Sequence, residues 1–146
     1  DQIQVWKDRG ADWVWTRYAE LLCEFVDSFP FEIMAHPDLP KKFGYMPLDR
    51  SGFVLKMREA FDLAASRGIA IEINTAGLRK NVHELYPSLD LLILARKAGM
   101  PLTFGSDSHS PGDVAADFDK ALELAKAAGY RSASAFQSRE RLDLPF

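Results

Sequence analysis

Cysteine is nearly absent from this sequence: Cys23 is the one thiol in 146 residues. No disulfide framework can form within one chain, which favours a soluble protein in a reducing compartment, the cytoplasm. Histidine is scarce as well, with only His36, His83 and His109. No apolar run reaches the roughly 18 residues that a membrane span needs. An excess of one charge is also lacking, because 18 Lys and Arg stand against 21 Asp and Glu, a formal net charge of −3. A general nucleic-acid binder wants a basic face to neutralise phosphates, so that class is disfavoured. The chain opens on Asp1 rather than Met, with no basic and then apolar leader. No signal peptide is expected from it, and the chain reads as processed, trimmed or truncated. What is present, 47% hydrophobic and 12% aromatic residues, is globular and excludes disordered and collagen-like classes. The length suits one domain spanning 1–146.

Four segments carry helical periodicity, after an opening Asp1–Gly10 stretch that reads as irregular. The first runs from about Ala11 to Ser28, with Val14, Tyr18, Leu21, Leu22, Phe25 and Phe29 as its apolar face. The second runs from about Gly52 to Arg67, with Val54, Met57, Phe61, Ala64 and Ala65 on one side. The third covers Leu89 to Ala98 behind Ser88 as N-cap. The fourth covers Gly112 to Ala128, with Ser110 as N-cap, Pro111 at the first helical position and Val114, Phe118, Ala121, Leu122 and Ala125 inside.

Short apolar runs of strand length alternate with these helices: Phe31–Ala35, Ile69–Ile73 and Pro101–Phe104, with Ala133–Phe136 a weaker fourth. The joints repeat. Arg67-Gly68, Lys97-Ala98-Gly99 and Lys126-Ala127-Ala128-Gly129 each end a helix on a basic residue, then a glycine, then a strand. The positive charge suits a helix C-terminus and the glycine suits a left-handed cap. The spacing is that of βαβ units, so the expected class is α/β with a parallel sheet and right-handed crossovers.

Polar residues gather just past the strands. His36-Pro37-Asp38 follows the first, Asn74-Thr75-Ala76-Gly77 the second, and Gly105-Ser106-Asp107-Ser108-His109 the third. In parallel α/β folds the carboxyl ends of strands form one functional face. On extended backbone, Asp107 and His109 would point to the same side. A carboxylate and an imidazole together suit Zn, Mn or Fe better than Ca or Mg. A buried histidine satisfied by its neighbour, or an N-cap cluster feeding the fourth helix, would give the same pattern. His36 precedes a proline, which biases it to extended geometry. It reads either as a third donor at this face or as an ordinary satisfied histidine. Asp38 reads as an outer acceptor or a turn residue.

Glu72, inside an apolar strand, needs a partner or a polar centre; a structural or outer role fits it best. Asn74 and Thr75 would touch substrate or cap the loop. Arg79, with Lys80, reads as a phosphate grip or as a solvated basic pair. His83 reads as surface and Cys23 as a packing residue. Trp6, Trp13, Trp15 and Tyr18 would make either a base-stacking platform or ordinary packing.

The succession Ala35-His36-Pro37-Asp38-Leu39 with Lys41-Lys42-Phe43, then Glu72 to Lys80, Tyr86-Pro87-Ser88, and Gly105-Ser106-Asp107-Ser108-His109 resembles the histidinol-phosphate phosphatases of the PHP (polymerase and histidinol phosphatase) superfamily. The resemblance implies a distorted (β/α)7 barrel with a trinuclear centre of divalent ions (Zn, Mn or Fe) at the carboxyl ends of the strands. It implies hydrolysis of a small-molecule phosphate ester, L-histidinol phosphate, in histidine biosynthesis. On the matching positions it implies His36, Asp107 and His109 as metal ligands, with Asp107 and His109 at the catalytic centre. Arg79 and Asn74 would then contact substrate.

One departure is plain: the family's early His-x-His motif has no counterpart here, nor do its other early ligands. The chain therefore resembles the C-terminal half of such an enzyme, a partial barrel without its N-terminal half. Either that half lies outside this sequence or the piece assembles with another copy, and alone it should be inactive. A PHP phosphoesterase acting on nucleotides or nucleic-acid ends, and a non-catalytic PHP scaffold, are the alternative readings.

Overall fold

The computed structural model describes residues 2–146. Its helices are α1 (Gln2–Arg9), α2 (Ala11–Ser28), α3 (Ser51–Ser66), α4 (Leu89–Ala98) and α5 (Phe118–Ala127). Its strands are β1 (Ile33–Met34), β2 (Ala70–Asn74), β3 (Leu102–Gly105), β4 (Ser132–Gln137) and β5 (Glu140–Pro145). β1, β2 and β3 lie side by side in that order as a parallel sheet. The architecture is thus mixed α/β around a three-stranded parallel sheet, as the repeated joints imply. Gly99 shows the joint chemistry: it caps α4 at φ 90°, and its N–H and that of Met100 return to the last turn.

Side-chain alternation along β2 divides the core from the site. Ile71 and Ile73 enter the hydrophobic core with Phe53, Met57 and Phe61 of α3 and with Leu91, Leu92 and Ala95 of α4. Burying each large apolar side chain contributes roughly 1.5–3 kcal/mol before entropy is set against it. The other face of β2 carries Ala70, Glu72 and Asn74, in register with Ile33, Thr103 and Gly105 of the neighbouring strands.

Four expectations need correction. Residues 2–9 are helical, because Trp6 is buried against Trp15, Phe43 and Tyr45 and anchors that turn. The core face of α2 is Trp15, Ala19 and Val26, whereas Leu21, Phe25 and Phe29 are exposed. With Trp6 and Trp15 in the core, a base-stacking platform is excluded. The fourth helix starts late: a 3-10 turn over Pro111–Asp113 is followed by left-handed residues at Ala115 and Asp117, leaving Val114 exposed. This loop is tied down because Thr75 Oγ1 donates to the Ala116 carbonyl at 2.7 Å and the Ala115 N–H donates to Ser106 Oγ. Finally, β4 does not extend the parallel sheet. It pairs antiparallel with β5, a strand the sequence reading missed, through a turn at Ser138-Arg139. Arg139 at its tip pairs with Glu32, just before β1.

Among the described residues, no helix is long and apolar enough to cross a membrane.

Candidate metal centre

Local backbone geometry sets the rim beyond the strands. His36 follows β1 and turns at φ 32°, not the extended geometry expected before proline. The turn is closed by the Leu39 N–H on the His36 carbonyl at 3.0 Å. Asp107 follows β3 and takes φ 46°, so the expectation of two extended residues pointing to one side fails. A different contact joins the pair: His109 Nδ1 lies 2.9 Å from the Asp107 carbonyl oxygen. A carbonyl only accepts, so in the neutral ring this contact puts the proton on Nδ1 and leaves Nε2 its lone pair. Metal-binding imidazoles are held in this way.

Tyr86 lies beside His36 and the end of β2. Its ring sits edge-to-face with His36, centroids 6.4 Å apart. Its backbone pairs with Asn74, donating and accepting across a single bridge. Burial, followed by the charges of Asp38, Asp107 and Glu84, pushes its phenol up, so the hydroxyl stays protonated at neutral pH. His36, Asp107 and His109 do not form a closed metal shell by themselves. Among the described residues, no three His, Cys, Asp or Glu side chains gather closely enough to hold a metal ion. In kind the donors fit a divalent ion: two imidazoles, one with Nε2 free, and a carboxylate, all beyond the ends of parallel strands.

The other expected residues are placed as follows. Asn74 is buried, with Nδ2 donating to Glu72 Oε1 at 2.8 Å and Oδ1 accepting from the Ala76 N–H at 2.9 Å. Glu72 is thereby partnered, and its carboxylate lies against Gly105, where any side chain would collide with it. Arg79 donates to the Ser106 carbonyl at 2.5 Å and faces Asp113 at 3.6 Å, which puts the guanidinium beside the Asp107 loop. His83 is on the surface. Cys23 packs against α3 and donates to the Lys56 carbonyl. Lys41 and Tyr86, quoted above only within matching motifs, join this region through contacts remote in sequence, Lys41 Nζ reaching the Leu85 carbonyl and the Tyr86 ring.

No protein-family model matches the chain. It is 35% identical over 130 residues to the "Probable histidinol-phosphatase" of Deinococcus radiodurans, covering 89% of this chain and 48% of that protein. Two solved structures share the fold. HisK of Listeria monocytogenes, assigned as a histidinol phosphatase, has a TM-score of 0.65 at 27% identity, covering 73% of this chain and 43% of that one. The histidinol phosphate phosphatase of Lactococcus lactis, solved with zinc, L-histidinol and phosphate, has a TM-score of 0.67 at 22% identity, covering 87% and 50%. The chain spans about half the length of the relatives it matches. Over that half the chain is similar in sequence to a protein named probable histidinol-phosphatase and in fold to these two structures.

Proposed function

We propose that this chain forms the later portion of a metal-dependent phosphomonoesterase that converts L-histidinol phosphate to L-histidinol and phosphate. The observation that carries the reading is the His109 ring, held by the Asp107 carbonyl with Nε2 left free, at the strand-end rim that also holds His36. Similarity to a protein named "Probable histidinol-phosphatase" supports the substrate, and a zinc- and phosphate-bound neighbour of the same fold supports the cofactor class.

In this reading His36, Asp107 and His109 each give one donor to a divalent centre of Zn, Mn or Fe. Residues outside this set complete the shell, which is trinuclear in the intact enzyme. Bound cations there would lower the pKa of water and neutralise phosphoryl oxygens. The chain's own groups do the rest. The Asp107 carbonyl fixes the His109 tautomer. Asn74 holds the Glu72 carboxylate in place with one amide N–H and offers the other to substrate. Arg79, already beside the Asp107 loop, exchanges Asp113 for the phosphate of the substrate. No side-chain nucleophile is required. The parallel strands β1 to β3 are then a segment of a (β/α)7 barrel, and the setting is the cytoplasm, where histidine biosynthesis runs.

The test compares phosphate release from L-histidinol phosphate and from a nucleotide panel by the intact enzyme, with Asp107→Ala and His109→Ala variants. Preference for histidinol phosphate, lost in both variants, is expected; unchanged rates in both would dismiss the assignment. The 146-residue chain alone should show little or no turnover.

A further inference from the structure

Lys41 has its ammonium group inside the protein. Lys41 and Asp38 are each only 2% exposed. A buried charge is costly unless its partners are complete, and here they are supplied from two segments. Lys41 Nζ donates to the Leu85 carbonyl at 2.6 Å, pairs with Asp38 Oδ2 at 3.1 Å and reaches the exposed carboxylate of Glu84 at 3.3 Å. It also lies 5.0 Å from the centre of the Tyr86 ring. Asp38 Oδ2 in turn accepts the Ser88 N–H at 2.9 Å. Lys41 and Asp38 belong to the segment that follows β1; every other group named belongs to residues 84–88.

Tyr86, so held by Lys41, meets His36 edge-on. Gly77 closes another side of the ring, since a Cβ there would stand 2.8 Å from Tyr86 Cε2. The phenol ring is thus boxed, and the His36 ring rests against it.

We infer that Lys41 is a positioning residue: with Asp38 it clamps residues 84–88 to the segment after β1, and so sets the position of the His36 imidazole. The inference rests on the reading of His36 as a metal donor and names the residue that orients it. A purely structural lysine would stabilise the chain without being specific to His36.

The test is a zinc titration by calorimetry on the intact enzyme and on its Lys41→Met, His36→Ala and double variants, with circular dichroism confirming the fold. Residues that orient a metal ligand change affinity by about 10- to 100-fold. Lys41→Met should therefore weaken zinc binding at least about tenfold in the parent and add nothing once His36 is gone. Unchanged affinity in Lys41→Met, with His36→Ala weakened, overturns the clamp. An equal loss in both backgrounds overturns it too, because Lys41 then acts on the fold at large. If His36→Ala itself binds zinc normally, the metal reading fails first and the inference falls with it. Should Lys41→Met not fold, Lys41→Arg serves in the same cycle. It keeps the charge but not the compact ammonium, and is expected to weaken binding only while His36 is present; parent-like affinity would overturn the clamp.

Discussion

His109 Nδ1 sits 2.9 Å from the carbonyl oxygen of Asp107, two residues back in the chain. That short loop contact decides which ring nitrogen is available for chemistry. Nitrogen-15 spectra of the neutral imidazole should show His109 with the proton on Nδ1, and zinc should shift its Nε2. A proton resident on Nε2, with Nδ1 unprotonated, would contradict the arrangement.

Two glycines near this loop should respond differently to the same methyl group. At Gly77 a Cβ would meet the Glu84 carbonyl and the Tyr86 ring, so backbone must move. Gly77→Ala should cost about 2–3 kcal/mol in urea unfolding. At Gly105 the obstacle is the end of the Glu72 side chain, which can swing away at the cost of its bond to Asn74. Gly105→Ala should cost only about 0.5–1.5 kcal/mol, and Glu72→Ala should remove most of that difference. Equal losses at the two sites would contradict the packing described.

Much of this fold is legible in the sequence because local chemistry and tertiary packing agree there. The Lys97–Gly99 joint closes α4 before β3 as expected, and the αβ spacing gives the parallel sheet. The N-terminal helix and the β4–β5 hairpin were not legible, for different reasons. Residues 2–9 owe their helix to one anchor, Trp6, whose partners Phe43 and Tyr45 are remote in sequence. The hairpin turns through Ser138 and Arg139 without glycine or asparagine, the usual signals. At the site, the rim positions of His36, Asp107 and His109 follow from the strands. Their orientations do not, because φ 32° at His36 and φ 46° at Asp107 are positive-φ turns that non-glycine residues seldom adopt and that neither the following proline nor strand alternation foretells.

The same hairpin gives a stability prediction. Ser138 and Arg139 hold φ 51° and 68°, a region that asparagine enters more readily than serine. Ser138→Asn should stabilise the protein by about 0.5 kcal/mol, seen as a higher urea midpoint with unchanged slope. A lower midpoint would contradict the turn geometry.

Cys23 should be a poor nucleophile. Burial, followed by the neighbouring Glu59 carboxylate, pushes its thiol up, so less thiolate is present at a given pH. Alkylation by iodoacetamide at pH 8 should run slower than for a free thiol, speed up as pH rises, and become fast in urea. A rate matching free glutathione in the folded protein would contradict its placement against α3.

The most direct test of the central claim is zinc uptake by the intact enzyme, measured by equilibrium dialysis for the parent and for His36→Ala, Asp107→Ala and His109→Ala. The account predicts that the parent takes up zinc and that each substitution lowers its affinity, with His83→Ala as an unaffected control. Equal zinc affinity in all five proteins would contradict it.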